Sequence, residues 1–198
     1  MAKELLFEIG MEEIPSGYLP PALEELKAVA SRLLAEQRLA FTAIRTLGTP
    51  RRLTLVVDGL AERQADARRE VVGPPKSAAF DAEGKPTKAA GGFARAQGVA
   101  VEALQVRALE RGEYLVAVQE EHGARTVEVL AGLLPKLLGA LSFPKFMRWG
   151  EGTFRFVRPI RWLLAIYDGR VVPFEVDGLK AEGKTYGHRF LAPRGVRV

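Results

Sequence analysis

Residues 20–39 constrain the fold more than any other stretch. Apolar Leu23, Leu26, Val29, Ala30, Leu33 and Leu34 recur there at the spacing of one helix face, with Glu24, Glu25, Lys27, Arg32 and Glu36 falling largely between them. This pattern predicts an amphipathic helix. Such a helix must bury its stripe against another element, and the runs on both sides read as strands. Residues 4–10, with Leu6, Phe7 and Ile9 before Gly10, predict a buried first strand. Residues 42–47 and 52–57 are rich in β-formers and are joined at Gly48-Thr49-Pro50, where the fixed φ of proline suits a tight connection. The opening unit therefore reads β-α-β-β.

A charged strand or loop over 65–72 leads to Gly73-Pro74-Pro75, where a hinge or boundary is expected. Beyond it, Pro86 is placed to begin a helix that carries through residues 89–97 and stops at Gly98. A helical turn is expected over 101–104, then a hairpin of 106–109 with 114–119 around Glu110-Arg111-Gly112. Val127, Leu130, Leu134, Leu137, Leu138 and Leu141 mark a second long helix, with Pro135 kinking or dividing it. Residues 160–167 and 171–176 bracket Asp168-Gly169, the sharpest two-residue hairpin signal in the chain. Residues 185–194 carry no helix pattern, and the chain ends without a stop signal, as a fragment would. The predicted class is α+β, mainly antiparallel sheets with helices packed on one side, in two subdomains. Residues 1–72 and 145–198 form one, and residues 73–144 form an insertion.

Several function classes fall away on composition. With no cysteine and only His122 and His188, neither a disulfide scaffold nor a cysteine- or histidine-ligated metal site is expected. No apolar run reaches the ~18 residues of a membrane span, and the N-terminus turns acidic before a signal-peptide core could form, so a soluble cytoplasmic protein is expected. The excess of 29 Lys and Arg over 24 Asp and Glu is a modest bias toward polyanionic partners.

That bias is concentrated in residues 143–162. Lys145, Arg148, Arg155, Arg158 and Arg161 face a single acid, Glu151, among six aromatics that include both tryptophans, Trp149 and Trp162. Cations reach phosphates and flat rings stack on bases, so the composition suits RNA. It equally suits a half-buried strand, since the alternation in 153–157 puts Phe154 and Phe156 on one face and Arg155 on the other, and arginine stems cover aromatic surface without any ligand. Candidate RNA-contacting residues are Arg51, Arg52, Lys145, Arg148, Arg158 and Arg161, with Trp149 as a stacking surface and His188 and Arg189 as further contacts or polar anchors.

No catalytic constellation emerges. Gly178-Leu-Lys-Ala-Glu-Gly183-Lys184-Thr185 matches the phosphate-loop string, but the residues after Thr185 do not form the helix whose N-terminus that mechanism requires, so a polar hairpin or loop is expected. Glu12 and Glu13, adjacent in an extended segment, are expected to fix a turn or receive an arginine rather than act as an acid–base pair.

Several separated strings nevertheless point one way. They are Glu8-Ile9-Gly10-Met11-Glu12-Glu13-Ile14-Pro15, Thr49-Pro50-Arg51-Arg52-Leu53, Phe80-Asp81 with Gly84-Lys85-Pro86-Thr87-Lys88-Ala89-Ala90, and Gly92-Phe93-Ala94-Arg95. Pro144-Lys145-Phe146-Met147-Arg148-Trp149-Gly150, Phe156-Val157-Arg158-Pro159-Ile160-Arg161-Trp162 and Gly187-His188-Arg189-Phe190 continue the series to the end of the chain. In this order and spacing the chain resembles the N-terminal part of the β subunit of the bacterial two-subunit glycyl-tRNA synthetases. The resemblance implies an α2β2 assembly that charges glycine tRNA at the expense of ATP. It places the class II core, with its ATP and magnesium, on the α subunit, and no cofactor and no catalytic residue in this chain. It implies tRNA binding for the β subunit, which in this family continues through an HD-like region and an anticodon-binding domain not present here. A stand-alone RNA-binding module, or a nucleotide-binding protein using residues 178–185, are the alternative readings.

Overall fold

A computed structural model describes residues 3–81, 83–110, 112–148 and 152–198. The chain divides into two compact units, one of residues 1–65 with 124–198 and the other of residues 66–123.

The larger unit is built on a sheet whose central strand β1 (Lys3–Met11) lies antiparallel between β3 (Arg52–Leu60) and β9 (Ile160–Tyr167), with β2 (Ala43–Thr49) outside β3. Alternation along β1 decides the two faces. Leu5, Phe7, Ile9 and Met11 are buried in the main core, and Leu6, Glu8 and Gly10 point the other way. Helix α1 (Leu19–Glu36) covers the first face with Ala22, Leu26, Ala30 and Leu34, a stripe at i, i+4 spacing. Helix α4 (Thr126–Ala140) adds Leu130, Leu133, Leu134, Leu137 and Leu138 to the same core, and Pro135 lies within it without dividing it. The end of α4 is tied to α1 where the Ser142 amide donates to Glu25 Oε2 at 2.8 Å. Residues 124–144, which the sequence grouped with the insertion, thus contribute their leucines to the larger core. The α+β class with helices on one side is the observed architecture.

The expected Asp168-Gly169 hairpin is present between β9 and β10 (Arg170–Val171), both turn residues at positive φ as a type I′ turn requires. The strand expected over 171–176 is broken, and β11 (Glu175–Val176) resumes beyond Pro173, which has no N–H to give a ladder. A second Asp-Gly turn, Asp177-Gly178, joins β11 to β12 (Leu179–Glu182), which runs parallel to β9. The phosphate-loop string therefore spans a hairpin turn and two strands, since β13 (Lys184–Tyr186) follows and pairs with β14 (Gly195–Arg197). No helix begins at Lys184. Tyr167 closes the core, donating its hydroxyl hydrogen to Ala61 O at 2.8 Å, and burial raises its phenol above the ordinary value.

The smaller unit is a three-stranded antiparallel sheet, β4 (Ala67–Pro75), β6 (Gly112–Glu121) and β5 (Gln105–Leu109), with α2 (Lys76–Ala79) and α3 (Lys88–Gln97). Gly73-Pro74-Pro75, expected as a hinge, ends β4, an edge strand where prolines cost no central ladder bond. Phe93 packs directly on Gly73, where a Cβ would come within 2.5 Å of its ring. Thr87 caps α3 by accepting the Ala89 amide, and Gly98 ends it in the left-handed conformation, as its sequence position predicts. Among the described residues no helix is long and apolar enough to cross a membrane.

Candidate nucleic-acid interface

The face of β1 away from the helices positions the site. In one row across the sheet stand Thr49, Arg52, Gly10 and Trp162, and in the next Leu47, Thr54, Glu8 and Leu164. Trp162 lies flat on Gly10, since a Cβ there would come within 1.9 Å of the indole. Its Nε1–H donates to Glu8 Oε1 at 2.6 Å. Glu8, only 6% exposed, accepts at that oxygen from Thr185 Oγ1 as well, and its other oxygen lies 3.3 Å from Arg52 Nε. Arg52 donates to Tyr186 O and sits 5.7 Å from the centre of the Trp162 ring, which packs on Tyr186 at 5.1 Å. One buried carboxylate thus joins four strands, and Arg52 is used inside the fold.

Past the end of β1 the chain is pinned between two loops. The Met11 and Ile14 amides donate to Arg51 O and Pro50 O, and the Glu12 amide to Pro159 O. The carboxylates that follow collect arginines. Glu12 lies 3.4 Å from both Arg161 and Arg189, while Glu13 lies 3.4 Å from Arg51 and 4.0 Å from Arg189. The expectation that these two glutamates receive an arginine is met, and both reach the guanidinium of Arg189 because the strand has ended before them. Arg158 donates to Glu13 O and Val157 O at 3.1 Å, bonds that fix the turn.

His188 uses Nδ1 to accept the Phe190 and Leu191 amides at 3.3 and 3.2 Å. Glu13, Thr49, Arg51, Trp162, His188 and Phe190 are among the residues that line an open cleft of about 500 Å³ here. Of the sequence candidates, Arg51, Arg52, Arg158, Arg161, His188 and Arg189 gather at this end of the sheet.

Lys145 and Arg148 lie elsewhere in the unit, Arg148 on the hairpin of β7 (Met147–Arg148) and β8 (Arg155–Phe156) and Lys145 just before it. Both are exposed, and no acidic side chain among the described residues pairs with either. Arg155, which sequence reasoning did not single out, stands directly opposite Arg148. Like charges facing across a ladder are unfavourable unless an anion lies between them. Trp149, the stacking candidate, lies outside the described residues.

Phe143 and Phe156 of this stretch belong to the main core, with Phe146 and Phe154 packed against it. Phe156 is 1% exposed and meets Phe143 edge-on at 5.2 Å, and Phe154 stacks on Phe156 at 6.2 Å. Arg155 points away to solvent, so the alternation in 153–157 is structural, as one of its two readings held. Asp177 fixes the end of the segment by accepting the Thr153 and Phe154 amides.

Glu8, which holds this face of the sheet together, is the residue that sequence reasoning missed. Its signal was a carboxylate between Phe7 and Ile9 in an apolar run, a position where a charge requires partners.

Comparison with known proteins gives a consistent result. The family described as glycyl-tRNA synthetase beta subunit matches residues 5–198. The glycine–tRNA ligase beta subunit of Moorella thermoacetica is 55% identical over 193 residues, covering 98% of this chain and 28% of that protein. That of Desulforudis audaxviator is 56% identical over 192 residues, covering 97% and 28%. The chain spans 28% of the length of these relatives and aligns with a single region of each.

Proposed function

Because the chain belongs to the glycyl-tRNA synthetase beta-subunit family, as its N-terminal part, we propose that it works in glycine–tRNA ligase as a scaffold and tRNA-contacting segment, with adenylate formation on a separate α subunit. The observation that carries the tRNA contact is the β7–β8 hairpin, where Lys145, Arg148 and Arg155 are exposed and Arg148 faces Arg155 with no acid among the described residues to neutralise them. A tRNA phosphate supplies a counter-charge for these cations. Arg52 and Arg158 serve the other reading, internal packing, because Arg52 pairs in charge with Glu8 and donates to Tyr186 O, and Arg158 donates to Glu13 O and Val157 O. Arg51, Arg161 and Arg189 share their charge with Glu12 and Glu13 and stay in part open to solvent.

The test is a triple substitution, Lys145→Ala, Arg148→Ala and Arg155→Ala, in the assembled enzyme. Affinity for glycine tRNA at physiological salt is expected to fall roughly tenfold or more, while ATP-dependent glycine activation, read as pyrophosphate exchange, is unchanged. An unaltered tRNA affinity in a variant with wild-type melting removes the hairpin from the interface.

A further inference from the structure

We propose that the cleft beside the Glu12-Glu13 turn is a seat for one unpaired nucleotide of a bound RNA, with its phosphate at Arg51 and Arg189 and its base against Phe190. This rests on the reading that the chain contacts RNA, and adds a site with a different chemistry from the hairpin.

The polar groups of the cleft are mostly donors. Arg51 and Arg189 supply guanidinium N–H groups, and since His188 Nδ1 already accepts two amides, its Nε2 is the ring's remaining donor. Arg51, Arg161 and Arg189 stand against only Glu12 and Glu13, and this excess of positive charge favours an anion. Its walls also offer flat apolar surface. Phe190 is 79% exposed, with the Arg189 guanidinium 5.7 Å from its ring centre and the His188 ring 6.1 Å away. This exposure belongs to a constrained turn. His188 holds the amides of 190 and 191, the Ala192 amide donates to His188 O at 2.8 Å, and Gly187 lets Ala192 close in, since a Cβ at 187 would lie 2.8 Å from that of Ala192.

A fixed aromatic beside a guanidinium is a stacking platform for a base. The half-exposed carboxylate of Glu13 accepts hydrogen bonds and matches the exocyclic amine of cytosine or adenine. A cleft of about 500 Å³ is of the size that takes small ligands. An acidic peptide would pair with the arginines, but it would bring further carboxylates beside Glu12 and Glu13 and leave the Phe190 ring without a stacking partner. A base already paired in a helix is stacked and out of reach, so the seat selects single strands.

The experiment is fluorescence anisotropy of the intact chain with a short labelled single-stranded RNA and with a blunt RNA duplex of the same strand length. Phe190→Ala is expected to weaken single-strand binding about tenfold and leave duplex binding unchanged. Arg189→Ala is expected to lower the single-strand salt slope by about one. Phe190 is solvent-exposed, and melting curves verify that both variants keep the fold. No change on Phe190→Ala overturns the seat, as does an equal loss on both RNAs, and competition by polyglutamate at the concentration of the RNA reassigns the cleft to acidic peptides. If wild-type chain binds the duplex through its hairpin cations and Phe190→Ala changes nothing, the seat alone fails. If it binds neither RNA, the RNA reading fails with it.

Discussion

Glu8→Ala is expected to destabilise the larger unit by about 3 kcal/mol. The carboxylate is nearly buried and accepts from Trp162 Nε1 and Thr185 Oγ1 while facing Arg52. Its removal leaves an indole N–H without an acceptor and a guanidinium without its counter-charge, and a half-broken charge pair costs more than a pair never made. Arg52 keeps a 29% exposed side chain, so water recovers part of its hydration and holds the loss below that of a fully buried pair. Glu8→Gln retains an oxygen for Trp162 and Thr185 but turns a donor toward Arg52, and is expected to cost about 2 kcal/mol. Urea unfolding measures both. With Trp149→Phe in the background, Trp162 emission also reports whether the indole has become wetter, and a red shift is expected for Glu8→Ala. Stability within about 0.5 kcal/mol of wild type would remove Glu8 from the centre of the account.

Gly10→Ala is expected to cost a similar amount, about 3 kcal/mol, for a steric reason. The added Cβ falls 1.9 Å from Trp162 Cε2 and 2.0 Å from Cδ2, so the indole must leave. It then loses its bond to Glu8, its contact with Tyr186 and the Arg52 guanidinium above it. A fall in Tm of about 10 °C follows from that loss in a unit of this size. Because the clash needs both partners, Gly10→Ala combined with Trp162→Ala is expected to be more stable than the sum of the two single losses predicts, by about 1 kcal/mol or more. Full additivity would show that the indole and Gly10 are not in contact.

Much of this arrangement was legible in the residues. The period of α1, the apolar run of β1, the β-formers of β2 and β3, and the Asp168-Gly169 turn are local signals, and each led to an element of the observed kind. The same logic expected no helix after Gly183, and Lys184 opens a strand. Two features depended on long-range geometry. Gly73-Pro74-Pro75 reads as a break, yet an edge strand tolerates it and Phe93 needs the missing side chain at Gly73. The β13–β14 pair is made by short segments separated by a turn, with too few residues to show a period.

The division of the basic residues was the least legible. Arg158 and Arg148 look alike in the sequence, but one donates to two carbonyls and the other faces Arg155. Which cations are spent depends on where Glu8, Glu12 and Glu13 come to lie, and that follows from strand register rather than from local composition. Proximity in the chain carried no such information.

The measurement that bears most directly on this division is the salt dependence of glycine tRNA binding by the assembled enzyme, compared between the triple alanine variant at Lys145, Arg148 and Arg155 and the single variant Arg158→Ala. The triple variant is expected to flatten the slope of log affinity against log salt by about two to three with unchanged melting, whereas Arg158→Ala lowers Tm and leaves the slope in place. A flattened slope for Arg158→Ala, with the triple variant binding as wild type does, would contradict the account.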